Sequence, residues 1–249
     1  MSTRTSGTGT ETDATTARRR AEIERNLAAV RVRIADACTS VGRSPDEVTL
    51  TVVTKFFPAS DVRLLAGLGV TDVGENRHQE AEAKAAETRD LGLRWHFVGT
   101  LQSNKAAAVA RYADVVESVD RAKLLTGLAR GAAERGAELD CLVQVSLDPP
   151  GAGEGRAGVE PDGVLDLAER VAGTDGLRLR GVMGVAPLGG DPAAAFARLA
   201  EVAADVRRLD PEATWVSAGM SADLEEAVRA GATHVRIGSA VLGRRPTIK

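Results

Sequence analysis

Residues 214–243, TWVSAGMSADLEEAVRAGATHVRIGSAVLG, contain the same local pattern twice. In each copy a short segment rich in β-branched residues leads into a glycine, and residues typical of a helix follow. The pattern predicts strands at 214–219 and 233–238, with a helix at 222–231 between them. A strand, a helix and a further strand in this order form a βαβ unit, whose strands are parallel.

The same alternation extends over the rest of the chain. Six further strand-like segments precede this stretch, and an alanine-rich helical segment lies in each of the seven gaps between strands. The six segments are 48–55, 71–75, 93–99, 114–120, 140–146 and 177–185. Strict alternation is typical of a parallel sheet, and eight units in 249 residues predict an α/β fold, a single (β/α)8 TIM barrel. A doubly wound open sheet is the alternative.

The N-terminal region lies outside this repeat. Residues 17–41 predict an additional N-terminal helix, so that the predicted barrel domain is 17–249. Residues 1–16, MSTRTSGTGTETDATT, are rich in Ser, Thr and Gly and predict a disordered tail.

Composition excludes several classes of protein. A net charge of −3 gives no basic surface for nucleic acid, and no apolar run reaches membrane-spanning length. No signal peptide is recognisable, so we expect a cytoplasmic protein. Cys38 and Cys141 form no CxxC pair and are expected to be buried structural thiols. The three histidines lie in different units without metal-ligand spacing, so no metal site is expected.

One lysine interrupts the first predicted strand, in TLTVVTKFFP at 49–58. The chain has five lysines and 27 arginines, so a simple need for positive charge would favour arginine. Unlike arginine, Lys55 can lose its proton and act as an amine nucleophile. Alternation along the strand places it on the same face as Thr51 and Val53, at the C-terminal end where barrels carry their active groups. The alternative is a lysine that extends to solvent.

Two glycine turns follow the last two predicted strands. Gly219 precedes Ser221, which is expected to cap the next helix, and Gly238 precedes Ser239. Glycines permit close approach of a ligand, and the loops after strands seven and eight are a frequent phosphate site in such barrels. Ordinary helix capping explains either turn alone. A phosphate site that faces an amine suggests pyridoxal 5'-phosphate (PLP) or a phosphosugar aldehyde as ligand.

Six motifs carry a resemblance to a known family. They are VVTKFFP, GENRHQE, WHFVGTLQSNK, GVMGVAP, SAGMSADLEEAV and VRIGSAVLG, in this order between about residues 22 and 243. The series resembles that of the YggS-like pyridoxal phosphate homeostasis proteins, which share the barrel of the alanine racemase N-terminal domain. Two departures are Arg156-Ala-Gly158, where the family has Lys-x-Gly, and Ala218, where it has a larger apolar residue.

The resemblance implies a set of cofactor-binding residues. It implies that Lys55 carries PLP as a Schiff base and that Asn76 lies beside the cofactor. It implies that the turn with Gly219 and Ser221, together with Gly238 and Ser239, binds the phosphate, and that Arg236 faces the pyridine nitrogen. An inward arginine at this position needs an acceptor in any case; a carboxylate from another strand is the alternative.

The resemblance also implies a function. We expect a PLP-binding protein of intracellular vitamin B6 homeostasis rather than an enzyme, with no catalytic residues; the alternative is a PLP-dependent racemase. Racemisation needs a base on each face of the cofactor, and the chain has a single tyrosine, Tyr112. A Schiff-base aldolase is a third possibility. The expected partners are PLP and PLP-dependent apo-enzymes, and the expected state is a monomer.

Overall fold

Eight strands form the predicted closed barrel. A computed structural model of the protein describes residues 8–148 and 157–244. Within these residues the strands pair in chain order, all parallel, and β8 pairs with β1 to close the barrel. The strands are β1 (Thr49–Val53), β2 (Asp72–Glu75), β3 (Arg94–Phe97), β4 (Val115–Val119), β5 (Leu139–Val145), β6 (Leu177–Gly184), β7 (Trp215–Ser217) and β8 (His234–Ile237).

A helix follows each strand in the part of the chain that is described. The helices are α1 (Thr8–Thr39), α2 (Ala59–Ala66), α3 (His78–Glu87), α4 (Ala106–Ala110), α5 (Leu125–Arg135), α6 (Val164–Ala172), α7 (Pro192–Leu209), α8 (Leu224–Arg229) and α9 (Ser239–Leu242). The predicted (β/α)8 barrel with an added N-terminal helix is therefore confirmed, and the open sheet is excluded.

Strand alternation divides the barrel into two environments. Val52, Val235 and Ile237 point outward and pack in one buried apolar cluster with α1. Each such side chain contributes about 1.5–3 kcal/mol when fully buried. The neighbouring residues Thr51 and Arg236 are equally buried but polar. The interior of the barrel therefore holds polar groups, and burying a polar group is costly unless it is hydrogen-bonded.

Helix α1 starts earlier than the sequence predicts. It begins at Thr8, so residues 8–16 of the segment expected to be disordered are helical, while residues 1–7 lie outside the described residues. Extending a helix that already exists costs little, because each added residue gains a hydrogen bond without a new nucleation step. The helix is anchored further along by Ile23 and Leu27, which are buried against the barrel.

Two other expectations concern the cysteines and membranes. Cys38 lies on α1 and Cys141 on β5, and both are buried free thiols, as predicted. Burial raises the pKa of both thiols. Among the described residues, no helix has the length and apolar character needed to cross a membrane.

Candidate functional site

Lys55 lies in a turn immediately after β1. The strand ends at Val53, earlier than predicted, because Phe57 N–H donates to the carbonyl of Thr54 at 3.0 Å and turns the chain. Lys55 is half-buried in this turn, at the C-terminal mouth of the barrel. Phe56 follows with φ of +69°, a left-handed conformation that is rare for a bulky residue.

Three residues of the GENRHQEAEAK segment hold this turn. The ammonium of Lys84 donates to the carbonyl oxygen of Thr54 at 2.8 Å and to Glu75 Oε1 at 2.6 Å. Thr54 Oγ1 donates to the same carboxylate at 2.6 Å. Glu80 Oε2 accepts from the N–H of Phe56 at 3.2 Å. The backbone is thus held on both sides of Lys55.

Neither Glu75 nor Glu80 occupies the cap position of α3. Glu75 is the last residue of β2 and is fully buried, while Arg77 occupies the cap position of α3. Burial raises the pKa of Glu75, and the hydrogen bonds from Lys84 and Thr54 oppose this shift without cancelling it. Glu80 lies in the first turn of α3, but its carboxylate is directed to the turn after β1.

The first glycine turn joins β7 to α8. Gly219 is buried with φ of +87°. Ser221 does not cap α8: the cap position belongs to Asp223, whose side chain accepts from the N–H of Met220 at 2.6 Å. The carbonyl of Ser221 instead accepts from Arg33 of α1 at 3.1 Å, so the N-terminal helix fixes this turn from outside.

The second glycine turn joins β8 to α9. Gly238 occupies the cap position of this short helix, and Ser239, its first residue, is exposed. A Cβ on Gly238 would lie 3.3 Å from the carbonyl oxygen of Val53, so the turn packs tightly against the end of β1. Because β8 pairs with β1, this turn and Lys55 lie at the same end of adjacent strands.

Replacing Gly219 with alanine should destabilise the protein strongly. The new Cβ would lie 2.6 Å from Cβ of Ala227 and 3.2 Å from Cα of Leu224, in addition to the strain of a positive φ. We expect a loss of about 3 kcal/mol in the free energy of unfolding, measured by urea denaturation. Gly189 is the matched control, since its φ is +75° but a Cβ added there would have no atom within 4 Å. Gly189→Ala should cost about 1 kcal/mol, and equal losses in the two variants would contradict the contact argument.

Asn76 follows β2 at the same mouth. Its Oδ1 is buried, and the described residues offer it no hydrogen-bond partner. The backbone of Asn76 packs against Gly99, where a Cβ would come within 2.3 Å of the Asn76 carbonyl oxygen. A buried amide oxygen without a partner is costly, so this position fits a group that a ligand supplies.

Arg236 is buried inside the barrel and belongs to a polar network that sequence reasoning missed. Its Nη1 donates to Ser217 Oγ at 2.6 Å, and Ser217 Oγ donates to Glu117 Oε2 at 2.6 Å. Its Nη2 donates to the carbonyl of Gly184 at 2.9 Å. Arg236 Nη1 also lies 3.7 Å from Glu117 Oε2, so a carboxylate from another strand is indeed one of its partners.

His96 continues this network to the other side of the barrel. Its Nδ1 lies 2.8 Å from Glu117 and its Nε2 lies 2.9 Å from Asp72. Two carboxylates facing both ring nitrogens favour the doubly protonated imidazolium. Burial opposes that charge, but the hydrogen bonds and charges of the two carboxylates prevail and raise the pKa of His96. Burial likewise opposes ionisation of Glu117, whose partners His96, Arg236 and Ser217 lower its pKa to about 2.

The two departures from the family pattern have different outcomes. Ala218 is buried in the apolar cluster outside the barrel, in keeping with a change in packing. Arg156 lies outside the described residues, as do all of residues 149–156.

Comparison with known proteins identifies the family. The sequence model of the alanine racemase N-terminal domain matches residues 20–246. The pyridoxal phosphate homeostasis protein of Mycobacterium bovis is 44% identical over 243 residues, covering 91% of this chain and 94% of that protein. The chain belongs to the alanine racemase N-terminal domain family and, within it, to the pyridoxal phosphate homeostasis proteins.

Solved structures agree with this family assignment. PipY of Synechococcus elongatus, solved with PLP bound, is 35% identical with a TM-score of 0.76, and the match covers 89% of this chain and all of PipY. An alanine racemase of Clostridium difficile shares the fold at 14% identity, with a TM-score of 0.66; this match covers 91% of the chain and 57% of the racemase. PipY thus matches this chain in both length and fold. The racemase is longer and shares the barrel fold alone.

Proposed function

We propose that this protein binds pyridoxal 5'-phosphate at the mouth of the barrel and acts in PLP homeostasis. The observation that carries the proposal is the position of Lys55, which lies beside the glycine turn of Gly238 at the end of adjacent strands. The homeostasis proteins of the family and PLP-bound PipY support it.

The residues at the mouth fit the cofactor. Gly219, Ser221, Gly238 and Ser239 would hold the phosphate, because their turns expose backbone N–H groups where side chains are absent or small. Asn76 would satisfy its unpartnered amide oxygen beside the ring. Arg236 has five N–H groups, of which one donates to Ser217 and one to Gly184. Another of these groups would donate a hydrogen bond to the pyridine nitrogen. A cationic donor at this nitrogen keeps it unprotonated and makes the ring a weak electron sink.

PLP supplies an aldehyde that condenses reversibly with primary amines. Lys55 Nζ, in its neutral form, is the amine that would condense with this aldehyde, with the aldehyde oxygen and the two amine hydrogens released as water and no change of oxidation state. The turn presents Lys55 at the mouth, and the reaction is reversible, so the site can both retain and release its ligand.

Borohydride reduction tests the proposal. Full-length protein incubated with PLP should be yellow, and reduction followed by peptide mapping should place the label on Lys55. A label on Lys105, or no label at all, would refute the assignment. A phosphosugar aldolase would be colourless as isolated.

We further propose that the protein has no catalytic activity of its own. An arginine at the pyridine nitrogen disfavours carbanion chemistry, and Tyr112, the candidate second base for a racemase, lies between α4 and β4 with a pKa raised by burial. Racemisation of alanine or serine at an ordinary enzyme turnover, about 10 per second, would contradict this.

The physiological role we propose is a PLP reservoir in the cytoplasm. A monomer is sufficient, because every group assigned to the ligand lies on one chain. Bound PLP would pass to PLP-dependent apo-enzymes, and mixing the loaded protein with a PLP-free aminotransferase tests this. If activity returns no faster than PLP is released into solution, direct delivery is wrong and passive buffering remains.

A further inference from the structure

Lys84 is a second lysine near the mouth, and unlike Lys55 it is buried; the family resemblance implies no role for it. Lys84 is only 8% exposed, and its ammonium lies between the carbonyl of Thr54 and the carboxylate of Glu75. Its Nζ also lies 4.0 Å from Glu80 Oε2. A buried ammonium is costly, and here its contacts are directed to the turn that carries Lys55 rather than to solvent.

The contacts act on both peptide groups next to Lys55. On one side Lys84 binds the carbonyl oxygen of Thr54, and on the other side Glu80 accepts the N–H of Phe56. Phe56 holds a φ of +69°, a conformation that such a residue adopts only where its surroundings impose it. The guanidinium of Arg77 lies 5.0 Å from the centre of the Phe56 ring and covers the same turn.

We propose that Glu75, Glu80 and Lys84 form a clamp that positions Lys55 for condensation with an aldehyde. The clamp rests on the proposed function of Lys55 and adds positioning residues to it: none of the three would touch the ligand. Buried Glu75 holds the ammonium of Lys84, and this ammonium holds the carbonyl of Thr54. Glu80 holds the N–H of Phe56. We therefore infer that contacts from β2 and α3 fix the backbone on both sides of Lys55 and so set the direction of its side chain.

A comparison of two ligands distinguishes a positioning role of Lys84 from a role in folding. PLP can condense with Lys55, whereas pyridoxine 5'-phosphate has the same ring and phosphate but an alcohol in place of the aldehyde. In Lys84→Met, whose unbranched side chain is one heavy atom shorter and carries no charge, we expect formation of the borohydride-reducible adduct to slow by about 10- to 100-fold. Affinity for pyridoxine 5'-phosphate should change by less than about threefold. Lys123→Met, at an exposed lysine far along the chain, should change neither.

A second variant and a second measurement complete the test. Glu80→Ala removes the acceptor for Phe56 at a half-buried position, where a folding defect is not expected. In protein without added PLP, hydrogen exchange of the Phe56 amide should be faster in both variants than in the wild type. An unchanged adduct rate in both variants, or an equal loss of affinity for both ligands, would overturn the clamp. Wild-type protein that forms no adduct would instead refute the proposed function, and unchanged Phe56 exchange would then refute the clamp as well.

Discussion

Replacement of Lys55 by alanine is expected to remove the borohydride-reducible adduct completely. The other lysines of the described part of the chain, at 84, 105 and 123, should not substitute for it, because an imine forms only with an amine that reaches the aldehyde. Lys84, which contacts the same turn, is already bound to Glu75 and Thr54. Mass spectrometry of reduced peptides and the visible spectrum give the measurement.

The same variant should keep part of its affinity for PLP. The substitution leaves the glycine turns after β7 and β8 and Arg236 in place, so the phosphate and ring contacts proposed for them should remain. Lys105→Ala is the matched control and should retain a full label on Lys55. An adduct of undiminished yield in Lys55→Ala would mean that another amine carries the ligand.

The barrel and the position of Lys55 could be predicted because the signals are local. The strand segments are short, apolar runs rich in β-branched residues, and polar residues, glycine or proline bound them within a few positions. All eight predicted strands therefore lie within two residues of those observed at each end. Lys55 was recognisable because a lysine after an apolar β-branched run is anomalous in a chain with 27 arginines.

The interior network could not be assembled from the sequence, although its members left a signal. Asp72, His96 and Glu117 each lie in an apolar strand segment, where a polar side chain requires a partner. Their separations in sequence are 24 and 21 residues, and only closure of the barrel brings them together. The spacing of the histidines in the sequence bears only on metal binding. It does not show that His96 lies between two carboxylates.

Lys84 was missed for a different reason. Its segment, QEAEAKAAE, resembles a solvated helix, and Glu80 and Lys84 have the i, i+4 spacing of an ordinary surface pair. Its partner Thr54 is 30 residues away in sequence. Helical periodicity shows which residues share a face, but the element that this face meets is decided by the tertiary fold.

Replacing His96 with leucine is expected to destabilise the protein strongly. The variant leaves the carboxylates of Asp72 and Glu117 buried without the cation between them. Removing one partner of a buried ion pair costs about 3–5 kcal/mol, and we expect a loss of this size in urea unfolding near pH 6. His78→Leu is the matched control, because His78 lies outside the network and stacks on Tyr112.

The loss should depend on pH in a defined direction. The folded pKa of His96 is raised above its ordinary value of 6.5, so its stabilisation is full below pH 6.5 and is lost as pH rises through the folded pKa. Glu117 is shifted from 4.5 to about 2, so its stabilisation is present above pH 4.5 and is lost as pH falls towards 2. Both contributions are complete only between these two ordinary values.

The difference in unfolding free energy between wild type and His96→Leu reports the contribution of His96 together with its effect on its neighbours, since titrating groups remote from His96 are common to both proteins. This difference should therefore decrease as pH rises from about 6 to about 10. A neutral His96 would give a difference independent of pH over that range. In that case only one ring nitrogen could donate, and the two carboxylates would have to share another proton. Arg236 would then be the only cation that contacts Glu117 in this network.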